Sequence, residues 1–296
     1  MTDTATAPET NPGTLVPEVR LHPLRARSLT VSRVRELSAR MRRITFVGAD
    51  LEGFAADGPA DHVKVFFPAD ATGSTPDELM PRTEDGSWVN RPDPALVFRD
   101  YTVRSFEPGS GELVIDMLCH SHGVAGRWAA QARPGQRLGV LGPRGSVVGP
   151  FTASQYLFVV DETGLPALAN WLERLPETAY VTAFVSIEEP EDELPLRVGP
   201  RTEVIWLVRG RGHGREHGSD GAVTATDVLA RAVAQAGRTV AAAGSDGWTF
   251  VGAEYSQVRA VRTVLRSELG VARDRMDVSG YWRAGQANFD HHTEIP

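Results

Sequence analysis

The pattern of hydrophobic residues changes once along this chain, at Gly149 and Pro150. Before this point, short β-branched or aromatic runs are separated by Gly, Pro and Asp clusters, as in strands joined by turns. After it, continuous apolar runs alternate with segments whose apolar residues recur at helical spacing, which predicts strand–helix–strand units and a parallel sheet. The sequence therefore predicts an antiparallel barrel or sandwich followed by a smaller α/β domain.

The same pattern gives the predicted domain limits. The first residues are rich in Thr, Pro and Glu and show no hydrophobic period, which predicts a disordered tail. In chain order we predict a tail at 1–24, a β-barrel domain at 25–148, a linker at 149–154, an α/β domain at 155–288 and a second tail at 289–296.

Composition excludes several classes of protein. A formal net charge of -7 over 296 residues argues against a protein that coats nucleic acid or an anionic membrane, and leaves a small molecule as the expected partner. Cys119 is the single cysteine, so the chain forms no intrachain disulfide and no cysteine cluster for zinc or iron–sulfur, which fits a reducing cytosol. No apolar run approaches the roughly 20 residues that cross a bilayer, and the N-terminus shows no signal-peptide pattern. We therefore expect a soluble, cytoplasmic protein without membrane insertion.

Three polar features carry weak signals. RGRGHG at 209–214 follows an apolar run, as a dinucleotide-binding glycine loop does, but the polar residues after it favour a flexible surface loop. The acidic run at 188–193 is expected to be a solvated loop because its like charges repel one another. We predict no metal site, because two close histidine pairs lack a third ligand nearby in the sequence: His120 with His122, and His291 with His292.

The segment FRDYTVRSF is more informative. In an extended strand, Arg99 and Tyr101 project to one face while Thr102 turns the other way. A guanidinium can bind a pyrophosphate in bidentate fashion, and a tyrosine ring beside it can stack on a flat heterocycle. The alternative interpretation is an ordinary barrel strand with a surface arginine.

A second informative segment runs from Asp116 to Gly145. A strand leads into glycine and small residues and then into a helix, so backbone N–H groups at the start of that helix are free to meet an anion. The alternative is a strand, a turn and an amphipathic helix with no ligand. Trp128 is expected to be a core residue in either case.

The third segment is VVDETGLPALANW. Asp161 and Glu162 end a central strand, where open α/β sheets bind their ligands, and Thr163 is a plausible helix cap. Acidic residues are also favoured at helix N-termini for structural reasons alone, so the alternative of a plain helix start stays open.

Seven segments of the chain, in their order along the sequence, resemble the siderophore-interacting protein family. Members of this family are flavin-dependent ferric-siderophore reductases within the ferredoxin-reductase-like group. The resemblance covers the chain from about Arg27 to Gln286. The segments that carry it are MRRITFVGADLEGF, DHVKVFFP, FRDYTVRSF, His120 to Trp128 with the PG and GPRG after it, DETGLPA, FVGAEYSQVRAVRTVLR and SGYWRAG. The resemblance implies a β-barrel that binds FAD, joined to an NAD(P)H-binding-like α/β domain.

The resemblance also implies the residues that hold FAD. Arg99 would pair with the FAD phosphates, Tyr101 would stack on the isoalloxazine, and Thr102 would hydrogen-bond near its N5 atom. The pyrophosphate and adenosine portion would lie against the segment from His120. The remaining implied FAD contacts are Val103, Asp116, Leu118, His120, Gly123, Val124, Ala125 and Thr163.

Two further sites follow from the same resemblance. The implied nicotinamide crevice has Asp161, Glu162 and Thr163 at its mouth and Gly252, Glu254, Tyr281 and Trp282 on its far side, and Arg209 is a further implied NAD(P)H contact. The implied substrate site is a cluster of basic side chains outside the flavin, and the matching positions are Lys64, Arg144 and Arg283. Lys64 is the only lysine of the chain.

Two segments depart from the family pattern. Val160 and Gly164 flank Asp-Glu-Thr where the family carries glycine and alanine. The segment from His120 to Ala125 lacks one glycine and one acid of the family's His-Gly-Asp-Gly-Pro-Ala. The second domain also lacks a glycine-rich phosphate fingerprint, so NADH, NADPH and a reduced ferredoxin are all kept as electron donors.

The function implied by the resemblance is an FAD-dependent NAD(P)H ferric-siderophore reductase that needs no catalytic side chain of its own. Its partner would be a ferric siderophore or another anionic small molecule. The departures keep two alternatives open. One is an FAD-dependent redox enzyme or electron-supplying reductase in a small-molecule biosynthetic pathway, and the other is a non-catalytic module that binds a ferric chelate.

Overall fold

The first half of the chain forms an antiparallel barrel in the computed structural model, which describes residues 15–209, 224–289 and 295. Its elements, in chain order, are β1 (Glu18–Leu21), β2 (Ala26–Ser38), β3 (Met41–Val47), β4 (His62–Phe67), β5 (Thr83–Glu84), β6 (Ser87–Trp88), β7 (Val97–Glu107), β8 (Glu112–Leu118), α1 (Val124–Ala130), β9 (Arg137–Leu141) and β10 (Gly145–Val148). The closed barrel has the strand order β2-β3-β8-β7-β4-β9. The barrel is confirmed over the sandwich, and closure leaves no unpaired sheet edge.

Alternating side chains fill the barrel. In β2, Leu29 and Val31 are buried while their neighbours are partly exposed, as expected for a strand with one face on a core. Trp128 of α1 is fully buried against this core, and its indole N–H donates to the carbonyl of Gly73 at 2.9 Å. The predicted core role of Trp128 is therefore confirmed.

The second half is a parallel sheet with helices on both faces, as predicted. Its elements are β11 (Gln155–Asp161), α2 (Leu165–Arg174), β12 (Tyr180–Ile187), β13 (Thr202–Val208), α3 (Ala225–Ala243), β14 (Gly247–Glu254), α4 (Tyr255–Thr263) and β15 (Met276–Trp282). The strand order is β13-β12-β11-β14-β15, and all neighbours are parallel. Short helical turns lie at Ala49–Leu51, Asp77–Leu79, Pro190–Asp192, Gly244–Asp246 and Arg273–Arg275, with a π-helical turn at Val264–Glu268.

The central strand β11 is buried on both faces, which explains its continuous apolar run. Phe158 and Val160 belong to the core that α2 covers, whereas Leu157 and Val159 belong to the core under α3 and α4. Because the strand has a period of two, one apolar segment supplies both cores.

Three sequence predictions need correction. The tail predicted at 1–24 is wrong for Glu18–Leu21, which pair with β10 as an antiparallel ribbon. The acidic run is not fully solvated, since Asp192 is buried and accepts a hydrogen bond from Arg40 of the barrel at 3.4 Å. The second predicted tail begins too early, because Phe289 is buried against the ring of Tyr255.

Some predictions lie outside the described residues. They concern most of the 209–214 segment and the pair His291 and His292. The domain limits 25–148 and 155–288 stay a prediction. Among the described residues, no helix combines the length and the apolar character that crossing a bilayer requires.

Helix α2 joins the two halves. The amide of Asn170 is buried and donates to the carbonyl of Pro59 at 2.9 Å and to that of Val103 at 2.8 Å. Arg104 of β7 donates to the side-chain oxygen of Asn170 at 3.0 Å and forms an ion pair with Glu173. These contacts place the carboxyl edge of the parallel sheet beside strand β7.

Candidate functional site

A cavity of about 960 Å³ lies between the barrel and the carboxyl edge of the parallel sheet. Strand β7 and the turn between β8 and α1 form its barrel wall. The start of α2, strand β15 and the turn after β15 form the opposite wall. Ligand pockets in proteins usually span roughly 300–1,000 Å³, so this cavity is large enough for an extended cofactor.

Strand β7 presents a guanidinium and a phenol ring to the cavity. Arg99 and Tyr101 both line it, as their spacing in the strand predicts. Arg99 is half-buried, and its Nη1 donates to the carbonyl of Phe98 at 2.5 Å and to Asn288 Oδ1 at 3.4 Å. Burial raises the pKa of the Tyr101 hydroxyl, so the ring is a neutral surface at physiological pH. The two side chains could therefore bind an anion and an aromatic ring side by side.

Thr102 reaches the cavity from the other face of β7. It is buried, and its side chain acts on the hydroxyl of Tyr281 in β15 so as to lower the pKa of that phenol. Burial raises the pKa of Tyr281, so this phenol also stays protonated. Thr102 of the barrel and Tyr281 of the α/β domain both line the cavity.

The turn before α1 is shaped by His120. A Cβ atom at Gly126 would lie 2.5 Å from the His120 ring, and one at Gly123 would lie 2.9 Å from it, so the ring rests directly on glycine backbone. Burial lowers the pKa of His120, and the charges of His122, Arg40, Arg99 and Arg127 lower it further. A neutral imidazole therefore stands at this end of the cavity, ready to act as a hydrogen-bond donor or acceptor.

The other predicted FAD contacts divide into two groups. Asp116, Leu118, Gly123, Ala125 and Thr163 line the cavity. The Asp116 carboxylate is already held by Arg43 through two hydrogen bonds of 2.7 Å. Val103 lies in the barrel core and Val124 packs partly against it, so these two positions act as support.

On the opposite wall, the carboxylate of Asp161 connects neighbouring strand ends through hydrogen bonds. The residue is fully buried, and its carboxylate accepts four hydrogen bonds: from Thr163 N at 2.8 Å, Thr163 Oγ1 at 2.6 Å, Glu254 N at 2.9 Å and Trp282 Nε1 at 2.7 Å. These bonds join the ends of β11, β14 and β15. Burial raises the pKa of Asp161, and the adjacent Glu162 charge raises it further.

Glu162 belongs to a second network that crosses between the halves. Its Oε1 accepts from Arg209 Nη2 at 2.6 Å and lies 3.6 Å from Arg40 Nη1 of the barrel. Arg209 also donates to the backbone and hydroxyl oxygens of Ser186, and to Glu188 through Nε and Nη2. The five N–H donors of a guanidinium are thus matched by five hydrogen bonds. Glu162 and Arg209 line the cavity, but their charges are largely directed at each other.

The far side of the predicted crevice is built by local contacts. A Cβ atom at Gly252 would lie 3.1 Å from the Tyr281 ring, so glycine leaves the space that this ring occupies. Glu254 caps α4 by accepting from Ser256 N at 2.6 Å, and it accepts from Ala284 N at 3.2 Å. Tyr281 and Trp282 line the cavity, whereas Gly252 and Glu254 support them.

The three predicted basic residues are not equivalent. Arg283 lines the cavity, with its guanidinium 5.1 Å from the centre of the Tyr255 ring. Arg144 is exposed, directly before the cavity-lining Gly145. Lys64 Nζ donates to the two carboxylate oxygens of Asp100 at 2.8 and 2.9 Å, and Asp100, not Lys64, lines the cavity.

Sequence reasoning missed Arg40, Glu188, Asp277 and Asn288, which also line the cavity. Asp277 had a usable signal, since Asp277, Ser279 and Tyr281 alternate along β15 and share the face that lines the cavity. Burial raises the pKa of Asp277. Arg40 had no such sequence signal, because it lies in a turn and its ion-pair partners, Glu162 and Asp192, belong to the other domain. Over the described ranges, no group of three or more His, Cys, Asp or Glu side chains is arranged to hold a metal ion.

Comparison with known proteins matches this architecture. A model of the siderophore-interacting FAD-binding domain matches residues 30–147, and a model of the siderophore-interacting protein family matches residues 153–285. The chain is 32% identical over 269 residues to ferric vibriobactin reductase ViuB of Vibrio cholerae, covering 90% of this chain and 93% of that protein. It is 43% identical over 170 residues to the NADPH-dependent ferric-chelate reductase of Escherichia coli, covering 56% of this chain and 65% of that protein.

Solved structures agree. A siderophore utilization protein from T. fusca superposes with a TM-score of 0.79 at 37% identity, covering 93% of this chain and 99% of that one. The siderophore-interacting protein SipS from Aeromonas hydrophila shares the fold, with a TM-score of 0.66 at 24% identity over 89% of this chain and 93% of its own. With both halves of the chain matched, this protein belongs to the siderophore-interacting protein family and carries its FAD-binding domain.

Proposed function

We propose that this protein is an FAD-dependent reductase that passes electrons from NAD(P)H to ferric siderophores. The observation that carries the proposal is the barrel wall of the cavity, where Arg99, Tyr101 and Thr102 face the carboxyl edge of the parallel sheet within an FAD-binding family domain. The relatives named as ferric vibriobactin reductase and NADPH-dependent ferric-chelate reductase support the reaction.

The residues present fit FAD. Arg99 offers an N–H-rich cation for the phosphates, because its own hydrogen bonds are to one carbonyl and to a distant amide oxygen. Tyr101 offers a neutral ring for stacking, and the neutral imidazole of His120 offers a hydrogen-bonding group to the ligand. When bound, FAD supplies acceptance of a hydride from the nicotinamide and delivery of single electrons to Fe(III).

We propose two different roles for the α/β wall. Thr163, Tyr281 and Trp282 line the cavity and would contact the nicotinamide nucleotide. Asp161, Glu162, Arg209, Gly252 and Glu254 would act by holding those contacts in place, since their polar groups are bonded within the protein. A ferredoxin remains an alternative donor that the experiment below tests.

The substrate would lie on the outer side of the cavity. Arg144 and Arg283 would provide positive charge there. Lys64 would contribute less positive charge, because it is paired with the Asp100 carboxylate. Oxygen-donor chelates hold Fe(III) tightly because it is a hard, highly charged cation, and a chelate whose donor groups carry more than three negative charges is anionic when it holds Fe(III). Reduction to Fe(II) weakens that attraction and allows release of the iron. We propose the cytoplasm as the site of this release, in keeping with the single, unpaired Cys119.

The test is anaerobic. Purified protein is loaded with FAD, reduced in parallel with NADH, NADPH or a reduced ferredoxin, and then mixed with a panel of ferric chelates. Flavin absorbance reports the first step, and a ferrous-specific chromophore reports the second. The proposal predicts bleaching of the flavin by a nicotinamide nucleotide and then formation of Fe(II). Protein that cannot be reconstituted with FAD, or reduced flavin that no ferric chelate reoxidises, would contradict it.

A further inference from the structure

The two-stranded ribbon formed by β1 and β10 exposes apolar side chains to solvent on one face. Its register pairs Val19 with Val147 and Leu21 with Gly145, and directly opposed residues of an antiparallel pair share one face. On that face Val19 is 67% exposed, Leu21 82% and Val147 45%. We call these three residues the apolar lip. Strands at a protein surface usually bury their apolar face and expose the polar one, so this ribbon reverses the rule.

The polar face of the ribbon is the one that is anchored. Ser146 is buried, its Oγ accepts from Asp57 N at 3.0 Å and donates to Asp61, and His22 Nε2 lies 2.7 Å away. Opposite Ser146, Arg20 bonds to Asp57 at 3.0 Å. A rotation that buried the apolar lip would break these contacts. The exposure of the lip is therefore built into the fold.

The apolar lip is continuous with the cavity. Gly145 and Val147 line the cavity, and their β1 partners Leu21 and Val19 extend the same surface outward. Arg144 immediately precedes the ribbon and is exposed. The outer edge of the site thus combines positive charge with adjoining aliphatic surface.

We propose that the apolar lip binds the apolar part, an acyl chain or aryl group, of an amphiphilic ferric chelate whose anionic iron centre lies toward Arg144 and Arg283. The inference rests on the proposed function and names the class of substrate. A chelate is the occupant favoured by the structure because the lip continues the cavity wall and the adjacent charge complements an anion. A bare anionic chelate would leave this aliphatic surface without a partner.

The experiment uses the FAD-loaded protein and two matched anionic chelates, the tris-complexes of 4-acetylcatechol and of 4-hexanoylcatechol, whose three dianionic ligands leave a net negative charge on the complex. They present the same oxygen donors to the metal and differ only in chain length. Binding is measured by calorimetry with the gallium(III) complexes, which are not reduced, and turnover is measured with the ferric complexes. We expect the hexanoyl complex to bind about 10-fold more tightly, the effect of burying one or two methylene groups.

The variant Leu21→Ser with Val19→Thr should reduce this ratio toward one. Both side chains are exposed, so the backbone pairing of the ribbon is retained. The matched control is Val198→Ser, which removes a side chain that is 54% exposed and does not line the cavity, and which should keep the preference.

Three outcomes would overturn the inference. The two gallium complexes bind equally well to the wild-type protein; or the double variant keeps the preference; or the wild-type protein is a dimer that the double variant converts to monomers, which would make the lip an interface between two copies. A failure of the proposed function is distinguishable, because then neither ferric complex oxidises reduced flavin whatever its chain length.

Discussion

The two walls of the cavity use polar side chains in opposite ways. On the barrel wall, Arg99 makes one short hydrogen bond to a neighbouring carbonyl and one long contact, and Tyr101 presents an open ring. On the α/β wall, Asp161 accepts four hydrogen bonds and Arg209 makes five. On the barrel wall, Arg99 and Tyr101 are therefore available for a ligand, although Asp100 and Asp116 are paired with Lys64 and Arg43. On the α/β wall, Asp161 and Arg209 hold strand ends together.

The largest effect should come from breaking the α/β wall. Asp161→Ala leaves the Glu254 N–H and the Trp282 indole N–H without their acceptor, at a cost of roughly 3 kcal/mol in unfolding free energy. Asp161→Asn keeps an acceptor oxygen and removes a charge that burial disfavours, so it should lose less. Urea unfolding of the FAD-free proteins measures both. An unchanged urea midpoint for Asp161→Ala would contradict the conclusion that this carboxylate stabilises the α/β domain.

The next effect tests the barrel wall. Arg99→Ala should lower the affinity for FAD about 100-fold, since two charge-assisted hydrogen bonds to phosphate are lost. The stability of the FAD-free protein should change little. Arg33→Ala is the control, because Arg33 lies on the barrel surface in an ion pair of 3.5 Å with Glu112. Retention of flavin by Arg99→Ala through gel filtration, with an unchanged dissociation constant, would contradict the assignment.

A smaller effect concerns pH. Burial raises the pKa of Asp277 above its ordinary value of 3.8, so the folded protein disfavours the carboxylate, and stability falls as pH rises through the raised pKa. Asp277→Asn should therefore stabilise the protein at pH 7, and the gain should vanish below about pH 3.8. Thermal unfolding across this range measures the difference. The exposed neighbour Asp274 provides the control Asp274→Asn, and an equal gain in both variants would contradict the prediction.

The smallest effect concerns Lys64, a barrel residue whose charge is already paired. Because Asp100 already neutralises Lys64, Lys64→Ala should raise the KM for a ferric chelate only about 3-fold, with FAD still bound. Lys64→Arg keeps the charge and should be close to the wild type. Steady-state reduction of ferric chelates measures the change. A loss of flavin from Lys64→Ala would place this lysine in the cofactor site instead.

Much of the fold was readable from the sequence. Strand β7 and the segment after β8 were found because the two-residue period and a glycine turn are local properties. Strand β11 was found because its apolar run is uninterrupted. Strand β1 was missed, since its apolar residues point to solvent and its stability comes from pairing with β10, which is remote in the chain.

The site was readable only in part, for a related reason. The motif of Asp161, Glu162 and Thr163 marks the carboxyl end of a central strand, but nothing local says whether its carboxylates face a ligand or the protein. That depends on Trp282, Glu254 and Arg209, which are distant in sequence. The position of these three residues at the edge of the sheet was therefore predictable from the sequence. Whether their side chains bond to a ligand or to the protein was not.

The buried amide of Asn170 has a mechanical consequence. It ties α2 to the carbonyl of Val103, the residue directly after Thr102, and to the loop carbonyl of Pro59. A hinge motion that separated the domains would have to break these two buried hydrogen bonds. We therefore expect the distance between the two walls to be set before any ligand binds, as in a slot of fixed width, without a domain-closure step. The radius of gyration should accordingly stay constant as FAD and nucleotide bind.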